Sequence, residues 1–260
     1  MSARIAATFA KVKRENRAAL IPFIMGGDPN LEASAKLLAA LPEAGADIIE
    51  LGIPFSDPMA DGKTIQAAGL RALEAGATLA KILALAADFR AQHAEIPLVL
   101  MGYYNPVYHY GVKKFTDDAA KAGVDGVILV DLPPEEAAEI EPHLARAGLA
   151  LIRLIAPTSI PARLPLLTQH ANGYLYYIAV TGITGTGSAT TEDIARNIAA
   201  IRATTNLPVA VGFGVKTAEQ VKEIGKTADG VVVGSAIVAR IAEHQGEVAP
   251  VMRFVQSLRG

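Results

Sequence analysis

Apolar residues in this chain fall into eight short runs separated by longer stretches of helical period. The runs are "ALIPFIMGG" (19–27), "DIIELGI" (47–53), "PLVLMGYYN" (97–105), "DGVILVD" (125–131), "LALIRLIA" (149–156), "YLYYIAV" (174–180), "PVAVGFG" (208–214) and "GVVVGSA" (230–236). Nearly continuous apolar runs of this length are what parallel strands buried on both faces require. Between them lie Ala-rich amphipathic stretches, predicted as helices over 31–44, 63–92, 112–122, 134–147, 161–170, 191–204, 217–226 and 236–257. "EAG", "KAG" and "RAG" supply stop signals, because glycine adopts the left-handed conformation that ends a helix. The stretch 63–92 is long enough for two helices. Eight alternations of strand and helix predict an α/β fold, a (β/α)8 TIM barrel, with residues 1–260 as a single domain. The competing doubly wound sheet usually carries a Gly-rich phosphate turn after its first strand, whereas this strand runs into "MGGDPN".

Composition narrows the picture. A length of 260 residues suits one barrel, and 51% hydrophobic residues supply a large core. Mean hydropathy is +0.31, yet every apolar run is interrupted well short of the roughly 20 residues that span a bilayer. The N-terminus lacks the apolar segment of a signal peptide. Net charge is −2 without blocks of like charge, so neither nucleic acid nor membrane is an expected partner. The absence of cysteine rules out disulfides and thiolate chemistry. A cytoplasmic protein is expected.

Barrel enzymes place their chemistry where strands end. The second run ends in "ELGIPFSDPMADG" (50–62), which carries Glu50, Asp57 and Asp61 and no base. Glu50 shares a strand face with Ile48, directed at the barrel mouth. A carboxylate there is desolvated unless it has a task or a partner. Asp57, in "SDP", has the ordinary explanation of a turn former, and Asp61 that of a helix N-cap. The runs at 174–180, 208–214 and 230–236 lead into small residues: "TGITGTGS", "GFG" and "GSA". Backbone N–H groups exposed by glycine, with a following helix N-terminus and Ser235, make a phosphate site there. Tight turns are the competing explanation. No Lys lies in a strand and no His at a strand end, and no metal-binding His motif occurs. Three acids leave Mg²⁺ open as an alternative to carboxylate acid–base chemistry. Phe23, Leu100, Ile128, Val130 and Leu154 are expected to line an apolar mouth.

"DIIELGIPFSDPMADGKTIQ" (47–66) closely resembles the signature of the tryptophan synthase alpha subunit family, and "PFIMGGDP", "LMGYYNP", "GVILVDLPPEE", "TGITG", "GFGV" and "VVVGSAIV" match in order along nearly the whole chain. The resemblance implies a lyase that cleaves indole-3-glycerol phosphate to indole and glyceraldehyde 3-phosphate in tryptophan biosynthesis. It implies no cofactor in this chain, pyridoxal phosphate only in a beta partner, and an αββα complex. The family's catalytic residues fall on Glu50 and Asp61. Its phosphate pocket falls on Gly185, Phe213, Gly214, Gly234 and Ser235, and its indole side on Phe23, Ile65, Leu100 and Tyr103. Tyr176 falls beside the site and Thr184 on the lid. The chain departs from the pattern at Ala179-Val180, where well-studied members have Ser-Arg. Two other classes compete: a non-catalytic phosphate-binding barrel that activates a partner, and a different sugar-phosphate enzyme such as an isomerase.

Overall fold

A computed structural model describes residues 2–159, 161–179, 190–212 and 214–259. Its strands are β1 (Ala19–Met25), β2 (Ile49–Gly52), β3 (Leu98–Gly102), β4 (Gly126–Leu129), β5 (Ala150–Leu151), β6 (Arg153–Ile155), β7 (Leu175–Ile178), β8 (Val209–Gly212) and β9 (Gly230–Val233). All pairings are parallel, in the order β5-β4-β3-β2-β1-β9-β8-β7-β6. The two ends of that row, β5 and β6, are separated in the chain by Ile152 alone, whose N–H donates to the Val127 carbonyl at 3.0 Å. The row therefore curls round on itself as a (β/α)8 barrel. The fifth predicted strand is found in two pieces because Ala150–Leu151 pairs only with β4 and Arg153–Ile155 only with β7.

The helices are α1 (Ala3–Arg14), α2 (Leu31–Ala40), α3 (Lys63–Glu74), α4 (Leu79–Gln92), α5 (Tyr104–Tyr110), α6 (Val112–Lys121), α7 (Glu141–Ala147), α8 (Leu164–Gln169), α9 (Thr191–Arg202), α10 (Ala218–Gly225), α11 (Ser235–Glu243) and α12 (Val248–Ser257), with a 3-10 turn at Pro134–Glu139. The segment 63–92 does divide in two, at Gly76, whose φ of +79° suits glycine; Thr78 then caps α4. The segment 236–257 also divides, at Gly246. The third predicted run, expected to continue through "YYN" (103–105), stops short: β3 ends at Gly102, and after extended Tyr103 a helix begins. From Tyr104 to Tyr110 the chain is helical, and His109 lies in α5. Pro106 falls in the first helical turn, where its missing N–H is harmless, and Asp131 takes the Tyr104 N–H at 2.7 Å.

Two apolar layers result. Inward residues Ala19, Ile21, Ile48, Val99, Ile128, Ile152, Tyr174, Ala210 and Val232 fill the barrel, and Ile5, Phe9 and Val12 of α1 close its strand-start end. Outward residues such as Leu20, Leu51, Leu100, Val127 and Val231 pack under the helices. The strand-start end carries a repeated tie. Asp47, Asp125, Asn172 and Asp229 each accept the first N–H groups of the preceding strand, from Leu20, Leu98, Leu151 and Val209, at 2.6–2.9 Å. With β5 and β6 counted as one strand, this tie joins the strands pairwise all round the barrel. Arg17, Arg90 and Arg202 pair with the three carboxylates.

Candidate active site

Glu50 sits in β2, in register with Phe23 of β1 and Val99 of β3, on the inward face as the alternation requires. It is wholly buried. One carboxyl oxygen, Oε1, accepts the Tyr174 hydroxyl at 2.7 Å, while Oε2 has no hydrogen-bond partner among the described residues. Burial is the larger influence and pushes Glu50 up to about 8, against the opposing pull of the Tyr174 hydrogen bond. Glu50 is therefore a neutral acid at pH 7. Tyr174 and Tyr176 are both held well above the usual phenol range, first by burial and then by the Glu50 charge, so they remain hydrogen-bond donors. The Tyr176 ring lies over Gly212, where a Cβ would stand 2.2 Å from its hydroxyl.

Asp61 lies between β2 and α3. Its N–H donates to Pro58 at 3.1 Å, and its carbonyl accepts Gln66 Nε2 at 2.8 Å. Burial raises its pKa, and the neighbouring Tyr103 hydroxyl lowers it. Tyr103 pins this loop. Its hydroxyl accepts the Ala60 N–H at 3.1 Å, and its ring packs on Phe55 at 5.4 Å. Phe23 spans the mouth, close enough to Gly52 that a Cβ there would meet its ring at 2.7 Å, and beside Gly234. Ile65 is half-buried on α3 and packs against the outer layer. Asp57 is exposed and accepts the Ser56 hydroxyl, as a turn residue does. Glu50, Asp57 and Asp61 do not converge as metal ligands: no cluster of three or more ligating side chains forms among the described residues.

Leu100 does not line the mouth. It pairs with Leu51 and Val127 in the layer under the helices. Its neighbour Met101 has the inward phase of Val99 and takes that place. At the other side of the mouth Gly214 has φ +57° and open space around it. Gly234 precedes α11, which begins at Ser235 without a side-chain cap, so its first N–H groups face outward. Thr184, Gly185 and Phe213 lie outside the described residues. Tyr174, which holds Glu50, was not anticipated. Its only signal in the sequence is that it shares the phase of Tyr176, two residues on.

The architecture is that of a (β/α)8 barrel with one acid, Glu50, in a strand facing the mouth and a second, Asp61, in the loop that follows it. The model of the tryptophan synthase alpha chain family matches residues 9–259. The chain is 55% identical over 239 residues to the tryptophan synthase alpha chain of Acidiphilium cryptum, covering 92% of this chain and 87% of that one. Among solved structures it resembles tryptophan synthase subunit alpha from Legionella pneumophila (TM-score 0.90, 40% identity, 98% and 97% of the two chains). It also resembles aminoacrylate-bound tryptophan synthase from M. tuberculosis (TM-score 0.89, 34% identity, 98% of each chain). The chain belongs to the tryptophan synthase alpha chain family, lyases that cleave indole-3-glycerol phosphate in tryptophan biosynthesis. No helix among the described residues is long and apolar enough to cross a membrane.

Proposed function

We propose that Glu50 carries this cleavage as a single acid that becomes the base, and the observation that carries the reading is its buried, unpartnered Oε2. Neutral Glu50 gives its proton to indole C3, leaving positive charge on the ring nitrogen. The Asp61 carboxylate stabilises that charge at the N–H. Glu50, now a carboxylate, takes the proton of the hydroxyl on the adjacent chain carbon. The C–C bond breaks, its electrons restore the indole ring, and the chain leaves as glyceraldehyde 3-phosphate. Glu50 ends protonated, ready for the next turnover. Phe23, Ile65, Tyr103 and Tyr176 enclose the indole side, with Met101 in place of Leu100. Gly214, Gly234, Ser235 and the α11 N-terminus bind the phosphate, a pocket to which the family resemblance adds Gly185, Phe213 and Thr184.

The chain works as one domain, in the cytoplasm, without a cofactor of its own. Its partner is a pyridoxal-phosphate-dependent beta subunit in an αββα complex, docked over the mouth. Met59 (78% exposed) lies in the loop after β2, and Tyr108 (62% exposed) lines a groove of about 450 Å³ with Tyr104, Asn105, Leu132, Pro133 and the acids Asp131, Glu136 and Glu139. The test is release of free indole from indole-3-glycerol phosphate by the purified chain, with and without the beta subunit. Asp61→Asn is expected to fold and to lose about 10²-fold or more of this activity, and Asp57→Ala to lose the stimulation by the partner rather than the basal rate. Wild-type rates in Asp61→Asn contradict the mechanism.

A further inference from the structure

We propose that the Arg71–Asp28 pair is a positioning latch for Asp61, an inference that rests on the catalytic role proposed for Asp61 above. Asp28 lies in the loop after β1, at the mouth end, and its side chain is wholly buried. Arg71 of α3 grips it with both prongs, Nε to Oδ1 at 2.7 Å and Nη2 to Oδ2 at 3.0 Å. Among the described residues, Asp28 accepts from Arg71 alone. The buried Asp47 and Asp125 are different. They stand at the opposite end of the barrel and also take backbone N–H groups that tie strand to strand. A buried ion pair contributes little net stability, but a forked Arg–carboxylate pair fixes geometry.

What it fixes is α3. That helix starts at Lys63, two residues beyond Asp61, and its first turn holds Asp61 from behind through Gln66 Nε2 to the Asp61 carbonyl. The loop bearing Asp28 is pressed on the last turn of the same helix and the chain just past it: a Cβ at Gly27 would meet that of Ala72 at 3.5 Å and that of Ala77 at 2.7 Å. The same loop is bonded to the end of β2 through Gly26 N–H and the Gly52 carbonyl at 2.9 Å. Asp28 thus connects the strand that carries Glu50 to the helix that follows Asp61. Arg71 stands about two turns along α3, roughly 12 Å from its start. It therefore acts through Asp61 and not on the substrate.

Arg71→Met keeps the apolar stem and removes the fork. Its kcat for indole release is expected to fall between about tenfold and 100-fold with KM nearly unchanged, since a displacement near 1 Å costs that much. In an Asp61→Asn background the same change is expected to cost nothing further. As a control, Arg90→Met at the strand-start end should lower the melting temperature and leave kcat per folded molecule unchanged. Where Arg71→Met costs folding, Asp28→Asn/Arg71→Gln replaces the charged pair by a neutral one and is read in the same way. An unchanged kcat in Arg71→Met, or a loss that multiplies in full with Asp61→Asn, overturns the latch. Wild-type activity in Asp61→Asn overturns the role of Asp61 and the latch together, so the two failures are distinguishable.

Discussion

The two ends of this barrel use the same functional group in opposite ways. At the strand-start end Asp125 accepts four hydrogen bonds, from Ser2, Arg4, Arg90 and the Leu98 N–H, and Asp47 is nearly as fully engaged by Arg17 and the Leu20 N–H. At the mouth Glu50 has one hydroxyl partner and a bare oxygen. Both carboxyls are out of water. A buried carboxylate supplied with donors serves as a fastener; at Glu50, where burial outweighs a single hydroxyl donor, the pKa is raised. The number of donors within reach, rather than burial, divides structure from chemistry here.

Replacing the acid is the strongest way to probe this contrast. Glu50→Gln is expected to lower kcat for indole release by about 10²–10⁴-fold or more and at the same time to stabilise the fold at neutral pH. The sign follows from linkage. Because the folded state holds the proton up to about 8, the stability contributed by neutral Glu50 is complete below its ordinary value of 4.5 and is lost as pH rises towards 8. By pH 7 the wild type has given up on the order of 3 kcal/mol that the Gln variant keeps. Urea unfolding of both proteins at pH 4 and pH 7 checks this, and a gap that does not widen with pH contradicts it.

Asp125→Ala inverts the experiment. It strands three side-chain donors and the Leu98 N–H, and is expected to cost about 3–5 kcal/mol of stability while the kcat of the molecules that remain folded is unchanged. A specific loss of kcat would mean that the strand-start end takes part in the chemistry. Tyr174→Phe should have the smallest effect. It removes the one donor that favours ionised Glu50, so the alkaline fall in kcat should move to higher pH, at a cost near 1 kcal/mol in stability. A shift to lower pH would mean that Tyr174 does not oppose the proton on Glu50.

Much of this contrast was legible in the sequence. The eight runs stood out because strands covered on both faces carry few polar interruptions, and Glu50 stood out because a carboxylate after Ile48-Ile49 has no turn to explain it. Leu100 was misplaced because inward and outward phases of an all-apolar strand look alike, and a shift of one residue exchanges Leu100 for Met101. Tyr174 was overlooked because a tyrosine at the head of "YLYYIAV" reads as core until its hydroxyl is seen to meet Glu50. Helix α5 was hidden by Pro106 and by apolar residues continuing the strand before it. What induces that helix, the Asp131 carboxylate on the Tyr104 N–H, is supplied from 27 residues away in the chain.

The central claim is that Glu50 carries a proton at neutral pH. The most direct test is a ¹³C NMR titration of the Glu side-chain carboxyls in the free enzyme, with Glu50→Gln assigning the resonance by its disappearance. The expected result is a Glu50 carboxyl carbon that titrates near 8. A Glu50 resonance that titrates at the ordinary 4.5 would leave the site without its acid and contradict the account.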